Sequence, residues 1–272
     1  MGPVVPFMEA DPVRDRAVGL VWGAACGARV SQEPASAWPT AQDMLVQVGG
    51  SLVECRRLSV DDVLRRLIRA WSQRAGRPAV VQGLCGTTHA STAGFVAGLA
   101  PICIHRRHDR KAAQAEVADL AMQFAAGAAG GEALELVSMY MRLVLLGQDR
   151  RQALAPLDWE GDARVARVAA GQSLPLNTRR DLVAAVDQAR ALALRCVSLE
   201  TAFAALATVG AAKAAFILTG ALIGALDGQS AFAIDPQADR AYTPSAELER
   251  LVDDLLALDH RPEPGKTSSW PS

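Results

Sequence analysis

Residues 202–226, AFAALATVGAAKAAFILTGALIGAL, form the longest apolar run of the chain and carry a single charge, Lys213, near the middle. That one ammonium decides how the run folds. The run is long enough to cross a bilayer, but a Lys at the centre of a spanning helix costs about 2.5–3.5 kcal/mol, and alanines crowded around it return little of that cost. The expectation is therefore one or two helices inside a soluble protein, with no membrane span. There Gly210, Gly220, Gly224 and the many alanines let neighbouring helices approach closely, and Lys213 lines a cleft or meets a buried acid.

The rest of the chain supports that reading. With 272 residues, 50% of them hydrophobic and only 5% aromatic, it can bury a full core built mainly from Ala, Leu and Val, which suits close-packed helices. A formal net charge of -1 argues against a nucleic-acid partner, and the HRRHDRK cluster reads as a solvated helix end. The opening MGPVVPFMEA lacks a basic stretch followed by an apolar one, and the five cysteines (Cys26, Cys55, Cys85, Cys103, Cys196) are an odd number, so a reduced, cytoplasmic protein is expected.

Helix signals follow one another along the chain, and strand signals are almost absent. Asp15 opens a segment running to about Ala28. Asp43–Leu58 follows, and then Ser59–Arg74, with Asp61 and Asp62 in its first turn. Residues 76–91, rich in Gly and Thr, read as a loop leading into Ala93–Cys103. Arg110–Ala126, Gly131–Leu146, Thr178–Arg195, Leu199–Leu226 and Glu247–Leu258 complete the pattern, while 147–177 reads as a crossing loop with a short helix. The fold class is all-α, a single compact multi-helix domain over 1–258, with 259–272 as a disordered tail.

Three segments carry a resemblance. Asp15, Arg16, Gly19, Gly23 and Gly27 in DRAVGLVWGAACGA resemble the first helix of the ADP-ribosylglycohydrolase family. GFVAGLAPI (Gly94–Ile102) is similar to the family's middle motif, and TGALIGALDG (Thr219–Gly228) to its C-terminal Gly-Ala-Leu helix. The resemblance implies a single all-helical domain in which two acidic stretches, Thr-Asp-Asp-Thr and Asp-x-Asp-Thr, hold two magnesium ions that position ADP-ribose and a water.

Those acids do not carry over. Aligned in order, Pro39, Thr40, Ala41 and Gln42 stand in the first stretch, and Ala211, Ala212, Lys213 and Ala214 in the second. Ala28 and Ala93 replace two further polar positions of the pattern. Hard cations need several oxygen ligands, carboxylates among them, so no metal or other cofactor is expected. Lys213 could stand in the vacated volume as a permanent cation near Thr40, Gln42 or Asp43, or it could snorkel to solvent from a helix end. Thr87, Thr88, His89 and Ser91 precede the middle motif and are expected to line the same cleft. His105 and His108, flanked by basic residues, are expected at the surface, and Cys85 with His89 is read as an ordinary loop pair.

Three function classes follow. The first is a catalytically silent family-like protein binding ADP-ribose, a related nucleotide or a protein partner. The second is an active hydrolase drawing on other acids, such as Asp43, Glu54 or Asp227. The third is a metal-independent enzyme using Lys213 as general acid or amine nucleophile. The first is the reading preferred here, and the sequence leaves the oligomeric state open.

Overall fold

A computed structural model describes residues 11–31, 39–75, 92–124, 126–174, 181–196, 198–232 and 245–259. All regular structure among them is helical, as the absence of strand patterning predicts. In chain order the helices are α1 (Pro12–Val30), α2 (Ala41–Cys55), α3 (Val60–Ala75), α4 (Thr92–Phe95), α5 (Leu99–His105), α6 (Arg110–Gln123), α7 (Ala128–Leu145), α8 (Arg150–Ala153), α9 (Ala163–Ala169), α10 (Leu182–Arg195), α11 (Leu199–Thr208), α12 (Lys213–Asp227) and α13 (Ala246–Asp259). Short 3-10 turns at Val96–Gly98 and Gly228–Phe232 join α4 to α5 and follow α12.

Most helix starts are fixed by a side chain just ahead of them. Asp109, Asp149 and Asp181 each accept the N–H three residues on, at 2.9, 2.9 and 3.0 Å, and Ser198 does the same at 3.2 Å. Asp162 caps α9, and Asp11 caps α1 with Pro12 at the first helical position. Asp15, expected as the cap of α1, lies instead inside its first turn and accepts the Gln229 N–H at 3.0 Å.

The centre of the molecule is an antiparallel pair, α1 against α12. Gly19 faces Gly224, Gly23 faces Gly220 and Gly27 faces the carbonyl of Phe216. At each of these glycines an added Cβ would overlap a backbone carbonyl of the other helix, so the two backbones touch with no side chain between them. Backbones this close allow Cα–H groups to meet carbonyl oxygens, a contact worth about 0.5–1 kcal/mol each. Every residue of α12 from Ala214 to Ala225 is buried. Helices α10, α7 and α11 pack on the other sides of α12, while α13 packs on α1, α2 and α5.

Two expectations need correction. The segment 199–226, given as one stretch in the run of helix signals although its apolar run allowed one or two helices, is two: α11 ends at Thr208, Gly210 takes φ +59°, and α12 starts at Lys213. A run this rich in apolar residues hides such a break, because little periodicity marks where one helix stops and the next begins. The HRRHDRK cluster is only partly solvated. His108 is exposed, but His105 and Arg107 are buried at 7% and 5% exposure. They sit where α5 ends against α7, and Arg142 of α7 donates to the carbonyls of Arg106 (3.0 Å) and Arg107 (2.8 Å), satisfying that terminus. His105 Nε2 lies 3.2 Å from the Arg56 carbonyl. Glu116 accepts from Arg106 at 2.9 Å and from the Leu58 N–H at 3.1 Å, tying α6 into the same junction.

Candidate functional site

Thr40, Gln42 and Asp43 do come together, because they form the first turn of α2. Thr40 is the N-cap, in extended backbone conformation. Its hydroxyl accepts the Asp43 N–H at 3.1 Å, while the Asp43 carboxylate accepts the Thr40 N–H at 3.0 Å and the Thr40 hydroxyl at 2.8 Å. This reciprocal capping box uses Asp43 to hold the helix start, and the residue is only 6% exposed. The signal was in the sequence as Thr-x-x-Asp, one acid away from the usual Ser/Thr-x-x-Glu form.

The three residues line a cavity of about 460 Å³ between α2, α3 and the start of α13, shared with Gln47, Gln73 and Glu247. A second recess of about 300 Å³ continues from it past Gln47 and Glu247 to Arg66, Arg250 and Asp254. The two together are walled by amides, a hydroxyl and charges of both signs. Sequence reasoning missed the contribution of α3 and α13, since no motif links Gln73 or Glu247 to residue 40; only folding places them there.

Lys213 is not among the residues lining this cavity. It is the first residue of α12, half-buried, and Ala212 ahead of it provides no side-chain cap. A cation at this end opposes the helix dipole, which favours negative charge there. Thr87, Thr88, His89, Ser91 and Cys85 lie outside the described residues. Of the alternative acids, Asp227 is paired with Arg150 at 2.7 Å, Glu54 is paired with Arg66, and Asp43 is held in the capping box.

The magnesium pair implied by the resemblance can be tested on the donor set. The two loci supply a Thr hydroxyl already engaged in capping, a Gln amide, a proline, four alanines and an ammonium. Among the described residues no group of three or more His, Cys, Asp or Glu side chains comes together as a metal cage. These residues do not fit a divalent-ion pair, which requires carboxylate oxygens to offset dehydration.

The class of protein so defined is an all-α domain built around a backbone-to-backbone helix seam, with a polar cavity at the start of α2. No helix among the described residues is long and apolar enough to cross a membrane. Comparison with models of known protein families gives no match, and comparison with curated proteins gives none either.

Proposed function

We propose that the protein is a catalytically silent, ADP-ribosylglycohydrolase-like binder of an ADP-ribose-like nucleotide. The observation that carries this reading is the chemistry of the two loci where the resemblance calls for paired acids. One is closed by the Thr40–Asp43 capping box, and the other opens on Ala212 and Lys213. Hydrolysis through two metal ions has no ligands there, whereas a cavity of about 460 Å³ walled by Gln42, Gln47, Gln73 and Thr40 offers donors and acceptors suited to ribose hydroxyls and an adenine edge. The glycine seam of α1 and α12 supports the resemblance itself, because its four-residue spacing uses Gly19, Gly23 and Gly27 on one side and Gly220 and Gly224 on the other.

Calorimetric titration with ADP-ribose, first with magnesium and then with a chelator, tests the reading. Binding that is indifferent to chelation is the expected result. Binding that requires magnesium would restore a metal-dependent hydrolase, and absence of binding in both conditions would remove the nucleotide assignment.

A further inference from the structure

The hairpin of α6 and α7 carries an exposed groove remote in sequence from the α2 cavity. Ala118, Ala121 and Met122 stand at i, i+3 and i+4 on α6, and Ala128, Gly131, Glu132 and Glu135 repeat that spacing on α7. The two stripes bound a groove of about 560 Å³. Its floor is made of small residues, and Met122 stands 77% exposed at its side. Met is the adaptable apolar residue typical of surfaces that receive a partner.

The two acids of the groove differ. Glu132 serves the fold, accepting the Asp162 N–H at 2.7 Å and the Trp159 indole N–H at 3.3 Å. Glu135 is half-buried, and its carboxylate has no hydrogen bond or ion pair among the described residues. Burial, and then the nearby Glu132, push its pKa above the ordinary carboxylate value. A carboxylate held partly out of water beside another one is a position whose cost a cation would relieve.

We propose that this groove docks an amphipathic helix of a partner protein, which lays small or apolar residues against Ala118, Ala128 and Gly131 and extends one Lys or Arg to Glu135. Small residues at helical spacing on both walls allow a third helix to settle closely, as the glycines of α1 and α12 do within the same molecule. The unpaired carboxylate at one edge fixes the sign of the partner's charge.

The test uses the full chain with 13C-labelled methionine methyl groups. The probe is a capped alanine-rich peptide of about 20 residues, above the roughly 12–15 at which isolated helices are marginal, with an apolar stripe and one central Lys. A twin peptide carries norleucine in place of that Lys. A saturable shift of the Met122 methyl is expected with the Lys peptide, while the buried Met44 methyl stays in place. Affinity should fall about tenfold for the twin and for the Glu135→Gln protein, and Ala118→Arg should abolish the shift. No Met122 shift, equal affinity for the two peptides, or an unchanged Glu135→Gln titration each overturns the proposal. A Met122 shift that grows with protein concentration alone would place a second copy in the groove and overturn it as well. Should Ala118→Arg fail to fold, the twin peptide and Glu135→Gln still decide the question.

Discussion

At the scale of single residues, glycine has two meanings in this chain, and only the structure separates them. A Cβ at Gly23 would overlap the Gly220 carbonyl and adjacent backbone, which cannot give way without parting the helices. Gly23→Ala should therefore cost about 3 kcal/mol or more, at the upper end of overpacking effects, read from urea denaturation. Gly131 sits inside α7, where an added Cβ meets nothing closer than the Ala121 Cβ at 3.7 Å. Gly131→Ala should stabilise by about 0.5–1 kcal/mol through helix propensity and the loss of unfolded-state freedom. The four-residue glycine spacing of α1 was readable in the sequence; that its partners are Gly220 and Gly224 followed from no local pattern. The Asp caps were equally readable and largely overlooked, because a lone Asp before an alanine-rich stretch looks like any surface acid.

At the scale of elements, the division of α11 from α12 sets what Lys213 does. A buried structural cation would make Lys213→Met cost more than about 1 kcal/mol. The half-buried helix start seen here predicts a change within about 0.5 kcal/mol, and Lys213→Glu should gain about 0.5–1 kcal/mol by reversing an unfavourable charge at the helix N-terminus. Thermal unfolding of both variants reads the sign directly. A second element-level prediction concerns α10. Burial raises the Asp187 carboxyl above its ordinary value, opposed by the Leu174 N–H at 2.9 Å and by the charges of Arg190 and Arg195. The folded chain thus holds this proton more tightly than the unfolded chain. The contribution is fully present below the unfolded pKa and is lost as pH rises through the folded one. Asp187→Asn keeps an acceptor for Leu174 and should flatten that part of the stability curve, measured as urea midpoints between about pH 4 and pH 7. Helix existence was legible from apolar patterning almost everywhere. Helix ends were less so, and the segment 147–177 concealed two short helices, α8 and α9, where one was expected.

At the scale of the whole molecule, cysteine chemistry reports the integrity of the fold. Burial pushes the Cys26 thiol up to about 11 and the Cys103 thiol up to about 12, whereas Cys55 is exposed at the end of α2. Iodoacetamide at about pH 8 should label Cys55 in the native protein and reach Cys26 and Cys103 only as the chain unfolds globally, because the thiolate is the reacting form. Peptide mass spectrometry over time gives the two rates, and prompt labelling of Cys103 would contradict the packing around Ser138 and Arg142. The all-helical class was legible from composition and periodicity together. The candidate cavity was legible only in its first turn, since its other walls come from residues far along the chain. That distance bears on biosynthesis. The seam of α1 and α12 joins residues about 200 positions apart, so at a ribosomal rate of roughly 5–20 residues per second the first helix waits about 10–40 s for its mate. Throughout that interval a bare glycine-lined face emerges with nothing to close it, which makes the nascent chain, rather than the finished one, the form most in need of a chaperone.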